Sequence, residues 1–471
     1  MNKFQLVVIG AGPGGYVAAI RASQLGLKTA VIENRQVGGT CLNRGCVPTK
    51  SMLHAAEVYA EIKHAGKLGI NVENVTFDIE AVYNRKEETI DGLRKGIEQL
   101  FKSNGVELLN GTATIVGEHQ IMFVDAEGNS QDIEADNIII ATGSVPSKPP
   151  IEGSNLPNVV TSDDLLGMNT MYDHLIVAGG GVIGMEFASL YNSFGKEVTV
   201  IELMDKILLR TDKEVSQNLA MIMKKRGVKI NTKSMVKSIS QEPDGKLKCT
   251  YATGDKESSV VGDAVLLALG RRPNTTYLFG QGFSVEMSPR GFVVTDETYR
   301  TSVKNIYAIG DVNGGIQLAH VASAQGIIAV EHILGKEPSI DINVVPDCVY
   351  TNPEIANVGL TEEDAKEKGI NYSVGKASML SNCRSTIAMQ DRGFIKVVYD
   401  NDKDCIIGAQ LMCARATDQI NEFATAIVNK LNKEQLASVI RPHPTFGEAA
   451  TEAIEDLDGM AIHVVKKKSL K

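Results

Sequence analysis

Cys41 and Cys46 lie in the glycine-bounded stretch GGTCLNRGCVPTK, residues 38–50. Thiols this close in sequence serve one of three chemistries: a structural disulfide, half of a metal site, or a dithiol that opens and closes as it carries electrons. A staple around so short a loop removes only about 2 kcal/mol of chain entropy, and a reducing cytoplasm opposes it. A structural metal needs four ligands, and no second C-x-x-C or histidine cluster lies nearby, so no metal is expected. The redox reading is favoured, and it makes a geometric demand. Residues five apart on a regular helix are about 7.5 Å apart along the axis, whereas a disulfide wants its Cα atoms within about 6.8 Å. A helix starting here must therefore be distorted at its entry, or Cys41 must lie just outside it; Gly45 and Pro48 suit such an entry. The positive end of that helix, and Lys50 four residues past Cys46, would favour a thiolate when the bond opens.

The elements that must position this pair begin at the amino terminus. FQLVVIG, residues 4–10, reads as a buried strand; GAGPGG, an alanine-rich helical stretch and the strand KTAVIE follow, ending at Glu33. The plan repeats in HLIVAGG, residues 174–180, then GGVIG, a helix and EVTVIE, ending at Glu202. In both copies the first glycine precedes the acidic residue by the same interval, 33 − 10 and 202 − 179. This is the strand–turn–helix–strand dinucleotide fingerprint, present twice. Gly10 and Gly179 make the tight turn, Gly12 and Gly181 let the backbone approach a pyrophosphate at the helix's positive end, and Gly15 and Gly184 allow close helix–strand packing. Glu33 and Glu202 end second strands, where a carboxylate accepts from ribose hydroxyls. Glu202 would repel a 2′-phosphate and no arginine follows it closely, which favours NADH over NADPH.

Further apolar strands, NIIIATGSVP, AVLLALGRRPN and NIYAIGDV, end in small residues, the last placing Asp311 at a strand's carboxyl end. SVPSKPPIEG reads as a connector between domains, and after Asp347 shorter strands without nucleotide motifs suggest a third domain of mixed α+β type.

Composition sets outer limits. The 471 residues suggest about three domains of roughly 150 residues, and 43% hydrophobic with 22% charged residues is an ordinary globular balance. A net charge of −9 offers no general attraction to nucleic acid or an anionic membrane. No apolar run reaches the roughly 18 residues of a spanning helix, and the amino-terminal glycines read as a strand entering a turn rather than a signal peptide. A cytoplasmic location is expected, with the tail KKKSLK a solvated end. Cys249, Cys348, Cys383, Cys405 and Cys413 read as structural thiols.

These motifs together carry a resemblance. GAGPGGYVAA, GGTCLNRGCVPTK, ATGS, GGGVIGMEFA, AIGDV, LAHVASAQG, YTNPEIANVGLTEEDA and HPTFGE span essentially the whole chain, which resembles the FAD-dependent pyridine nucleotide–disulfide oxidoreductases. LAHVASAQG together with Glu202 points to the members that act on lipoamide. The resemblance implies an α/β fold with two Rossmann-like nucleotide-binding domains, for FAD and NAD, plus a C-terminal α+β dimerisation domain. The expected segments are 1–147 and 274–345 for FAD, 148–273 for NAD and 346–471 for the interface. It implies that FAD is held by Gly10, Gly12, Gly15, Glu33, Lys50, Gly111, Thr142, Gly143, Ser144 and Asp311, with Leu318, Ala319 and His320 opening a helix toward the flavin. NAD would be held by Gly179, Gly181, Gly184, Glu186 and Glu202, with Gly270 and Val236 nearby, and Glu186 would pair with Lys50.

The same resemblance assigns His443 and Glu448 as the acid–base pair, acting across a dimer interface on the partner subunit's disulfide, with a cis bond before Pro444. Thiol–disulfide exchange needs a base, and a carboxylate on the second ring nitrogen fixes the tautomer. His54, His64, His119, His174, His332 and His463 have no such setting and read as surface or core. One departure is Arg441, where many members have a further histidine. The implied activity is oxidation of dihydrolipoyl groups with NAD⁺. The implied partners are a lipoyl-bearing acyltransferase or a glycine cleavage carrier protein, and a second copy of the chain in a homodimer with shared active sites. The competing reading is a reductase of another disulfide such as glutathione.

Overall fold

In a computed structural model, residues 2–390 and 392–465 are described, and the KKKSLK tail lies outside them. The chain divides into two compact units, one of residues 1–150, 160–171 and 267–342, the other of residues 151–159, 172–266 and 343–471.

In the first unit the strand β1 (Asn2–Ile9) runs parallel between β2 (Thr29–Glu33) and β5 (Ser130–Ile140). β3 (Glu107–Gly117) extends the sheet beyond β2, and the strand Ile306–Ala308 extends it beyond β5, both in parallel. β4 (Gln120–Asp125) joins β3 and β5 through antiparallel pairings. Near-continuous apolar runs are what a sheet covered on both faces requires, and every residue of β2 is buried. On one face α1 (Pro13–Gln24) packs against the helix Ala319–Ile333 through the small residues Gly14, Ala18, Ala322 and Gly326. The carboxyl ends of β1, β5 and Ile306–Ala308 lead into Gly10, Thr142 and Asp311 respectively.

The second unit repeats this plan and then changes character. His174–Ala178 pairs in parallel with Glu197–Ile201, and the latter with Lys229–Asn231. The strands Ser234–Gln241, Leu247–Thr253 and Lys256–Gly262 make an antiparallel meander. The remainder is a five-stranded sheet in the order Asp347–Val349, Glu354–Gly359, Cys405–Cys413, Phe394–Asp400, Tyr372–Ser378, with all four neighbouring pairs antiparallel. The helices Ala416–Val428 and Glu448–Glu455 cover it, with Ile420, Phe423, Ala453 and Ile454 buried in the same core as Val397 and Leu411.

A buried ion cluster ties the two parts of this unit. Lys396, only 3% exposed, sets its Nζ 3.1 Å from Asp212 and 3.0 Å from Glu214. Burial alone would lower the lysine's pKa; Asp212 and Glu214 outweigh it and hold it above the ordinary value. Asp212 also caps the helix Lys213–Lys225 by accepting from the Glu214 and Val215 N–H groups. Removing Asp212 takes away a helix cap and the fully buried partner of Lys396, leaving the buried ammonium to the half-exposed Glu214. Asp212→Ala is therefore expected to cost about 3–5 kcal/mol, read as a lower denaturant midpoint. A midpoint equal to the parent's would show that water or another carboxylate takes over.

Candidate active site

The redox segment meets the geometric demand by breaking its helix. Cys41 lies on α2 (Gly39–Arg44), Cys46 is the first residue of α3 (Cys46–His64), and Gly45 separates them at φ −146° and ψ −114°. A Cβ on Gly45 would stand 3.0 Å from the Thr40 carbonyl oxygen and 3.3 Å from the Cys41 Cα, so a side chain there would crowd the point where the chain folds back. Both cysteines are thiols here, with the Cys41 and Cys46 side chains hydrogen-bonded to each other. That hydrogen bond and burial push the Cys41 thiol up, while the Lys50 charge opposes them. The Gly38 N–H donates to the Ala11 carbonyl at 2.8 Å, which fastens the segment to the first glycine turn.

That turn and its copy are alike in detail. A Cβ on Gly15 would lie 1.9 Å from the Gly10 oxygen, and one on Gly184 would lie 2.0 Å from the Gly179 oxygen. Gly12 and Gly181 are the N-caps of α1 and of the helix Val182–Ser193, and neither helix start has a side-chain cap. Their N–H groups are available to a pyrophosphate. Glu33 accepts from the Ala11 and Arg35 N–H groups at 2.7 and 2.8 Å; Glu202 accepts from the Gly180 and Met204 N–H groups at 2.5 and 2.6 Å. Both carboxylates are thereby aimed at the mouth of their turn.

The other residues expected at FAD lie within the first unit. Thr142 and Gly143 follow β5, and the Thr142 hydroxyl oxygen is buried with no hydrogen-bond partner among the described residues. A buried orphan hydroxyl beside an uncapped helix start fits a bound polar group such as a dinucleotide. The Ser144 hydroxyl donates to Asp311, which lies on the turn after Ile306–Ala308. Leu318 is the N-cap, without a side-chain cap, of the helix that Ala319 and His320 open. Gly111 lies on β3 opposite Asp125; Gly270, expected near NAD, also falls in the first unit, where its carbonyl accepts the Ser147 N–H at 2.9 Å. In the second unit Glu186 is buried on Val182–Ser193 and accepts the Tyr350 N–H at 3.0 Å, while Val236 lies on Ser234–Gln241.

His443 and Glu448 form the pair that their motif suggests. His443 Nδ1 lies 2.8 Å from one Glu448 oxygen, the Thr445 N–H donates to the other at 2.8 Å, and the bond before Pro444 is cis. The imidazole is 67% exposed, so Nε2 faces outward. Burial raises the Glu448 pKa, but the Thr445 N–H and His443 outweigh it and the net shift is downward. Arg441 has its guanidinium buried against Glu422, with Nη1 2.6 Å from the Thr451 hydroxyl and 3.2 Å from the Val439 carbonyl, and so braces the chain before His443.

Several polar partners had no sequence signal. Arg271 donates from Nε to the Ser144 hydroxyl at 2.7 Å and from Nη2 to the Ser144 carbonyl at 2.8 Å, so it buttresses Asp311. The RRP run beside a strand end was its only trace. His463 lies at the surface as expected, and there its Nδ1 is 2.7 Å from Glu452, one helical turn beyond Glu448, while its N–H donates to the second Glu452 oxygen. Among the described residues no group of three His, Cys, Asp or Glu is placed to hold a metal, and no helix is long and apolar enough to cross a membrane.

Comparison with known proteins agrees with this geometry. Residues 4–326 match the pyridine nucleotide-disulphide oxidoreductase family and residues 345–454 its dimerisation domain. The chain belongs to this family, an FAD-containing class of oxidoreductase that uses a pyridine nucleotide. It is 40% identical to a dihydrolipoyl dehydrogenase of Bacillus subtilis, over 98% of this chain and 97% of that one. It is 37% identical to the mitochondrial dihydrolipoyl dehydrogenase of Pisum sativum, over 98% and 93%. Among solved structures it is similar to LpdA of Mycobacterium tuberculosis, with TM-score 0.89, 27% identity and coverage of 97% and 100%. It is also similar to the HOCl-induced flavoprotein disulfide reductase RclA of Escherichia coli in a Cu(II) complex, with TM-score 0.87, 30% identity and coverage of 97% and 99%.

The Glu452 pairing raises the His463 pKa above the ordinary imidazole value of 6.5, chiefly by the hydrogen bond to Glu452 and then by its charge. A raised folded value means that the pairing adds stability below the unfolded value and loses it as pH rises through the folded one. In an NMR titration His463 is expected to have a midpoint above 6.5, with Glu452→Gln bringing it back. A midpoint at or below 6.5 in the parent contradicts the pairing.

Proposed function

We propose that this chain oxidises protein-bound dihydrolipoyl groups to lipoyl with NAD⁺ as acceptor, through a closing and opening Cys41–Cys46 disulfide. The observation that carries the reading is the mutual hydrogen-bond contact of these thiols at the broken start of α3, in a chain whose full-length relatives are named for this reaction.

Starting from the closed disulfide, His443 takes the proton of one lipoyl thiol at Nε2, and Glu448 on Nδ1 stabilises the imidazolium. The thiolate attacks the Cys41 sulfur, a mixed disulfide forms, and Cys46 leaves as a thiolate. The second lipoyl thiol then attacks the lipoyl sulfur of the mixed disulfide. This releases cyclic lipoyl and returns Cys41. Cys46, as the first residue of α3, is stabilised by the helix's positive end, and Lys50 is the nearest basic residue along that helix. FAD supplies two-electron transfer between a dithiol and a nicotinamide. Gly10, Gly12, Gly15, Glu33, Thr142, Gly143, Ser144 and Asp311 would hold it. Gly179, Gly181, Gly184 and Glu202 would hold NAD, with the Glu202 carboxylate disfavouring a 2′-phosphate. Overall the two thiols give up two electrons and two protons; one hydride goes to NAD⁺ and one proton to solvent.

The reading includes a homodimer, in which His443 of one copy serves the cysteines of the other. Its lipoyl partner is an acyltransferase core or the glycine cleavage carrier, and its compartment the cytoplasm. His443→Ala is expected to lower lipoamide turnover by roughly 10²–10⁴-fold while FAD content stays at the parent's level. An unchanged rate removes His443 from this role. Glutathione reduced faster than lipoamide, or NADPH preferred to NADH, would favour the competing disulfide-reductase reading.

A further inference from the structure

We propose that Asp163 is a positioning residue for the redox pair: its carboxylate holds the cysteine loop, through Arg44, against the same arginine that fixes Asp311. Arg44 lies between the two cysteines in CLNRGC. Its side chain is largely buried, its Nη1 donates to Gln36 at 3.1 Å, and its Nε lies 3.7 Å from Asp163 Oδ2. The other carboxylate oxygen, Oδ1, lies 4.0 Å from Arg271 Nη1. Arg271 in turn holds Ser144, whose hydroxyl donates to Asp311. One carboxylate thus stands between two guanidiniums, one from the redox loop and one from the residues expected along the flavin.

The platform beneath Asp163 is rigid. The helix Ser162–Gly167 is closed by a capping box in which Thr161 and Asp164 bond each other's backbone N–H groups. Its Leu165 carbonyl accepts the Tyr83 hydroxyl at 2.9 Å, and its Leu166 carbonyl accepts the buried Lys86 ammonium. Leu165 and Leu166 are themselves buried. Contacts of 3.7 and 4.0 Å are ion pairs rather than good hydrogen bonds, so the anchor works by charge in a partly desolvated place. Burial pushes the Asp163 carboxyl up, with the Arg271 and Arg44 charges opposing it, which fits a carboxylate placed for these two partners rather than for solvent.

The consequence concerns the equilibrium between dithiol and disulfide. A pinned loop keeps the two sulfurs at high effective concentration; a loosened one closes less readily. Asp163→Asn in the holoenzyme is expected to lower the closed-disulfide equilibrium constant about tenfold, equivalent to about 30 mV for two electrons, so the pair becomes easier to reduce. The measurement equilibrates holoenzyme with glutathione buffers, traps thiols with a maleimide and reads Cys41 and Cys46 by mass. Arg44→Gln should give the same shift, and the double variant no more than either alone. FAD content should stay at the parent's level, since Arg271 keeps its own bonds to Ser144. Constants within twofold of the parent's in both single variants, or a double variant equal to the sum of the two, overturn the proposal. If Asp163→Asn loses FAD, Arg44→Gln alone decides by the same criterion. The inference rests on the disulfide-relay reading, whose own failure looks different: a parent protein that forms no closed disulfide at any glutathione ratio.

Discussion

Two sulfurs five residues apart cannot meet on an unbroken helix, and the function depends on the break at Gly45. It gives Cys41 to the end of one short helix and Cys46 to the start of the next. Contact and electrostatics are satisfied together, because the residue that must leave as a thiolate lies on the positive end of a long helix. The same segment is bonded to the turn at Ala11. The dithiol and the expected pyrophosphate site are thus parts of one small construction in the first unit.

The second organising feature is duplication. One backbone solution, a strand running into an uncapped helix start with an acidic residue closing the next strand, serves two nucleotides. Even the side contacts are repeated: the N–H after each first glycine donates to the closing glutamate, and so does the N–H two residues beyond that glutamate. These carboxylates are oriented by the fold before any ribose arrives, which reduces the ordering cost of binding. The carboxyl-terminal sheet has another task. It carries His443 on a segment braced by Arg441, and its Lys396 is tied to the helix cap at Asp212.

Much of this was legible in the sequence because the informative signals are local. The nucleotide turns are written in runs of about 30 residues, the redox pair in six, and the need for an irregular helix entry follows from the spacing of Cys41 and Cys46 alone. Two nucleotide sites and a redox dithiol were readable at that level, and the resemblance carried by the motifs together implied the fold class and FAD. What stayed hidden is polar and long-range. Arg271 reaches Ser144 across 127 positions, and Lys396 reaches Asp212 across 184. Such pairs leave no periodicity, and a lone arginine or lysine reads as surface until its partner is in view. The partner of the surface residue His463 stayed hidden for a related reason: Glu452 meets it only when the chain folds back on the helix Glu448–Glu455.

The central claim, that Cys41 and Cys46 are joined by one reversible bond through which electrons pass to and from the nicotinamide, is most directly tested by peptide mapping. Holoenzyme is alkylated under anaerobic conditions before and after addition of NADH. The account predicts that neither cysteine is labelled in the oxidised protein and that both are labelled after NADH, without change at Cys249 or Cys413. Equal labelling of Cys41 and Cys46 with and without NADH would contradict it.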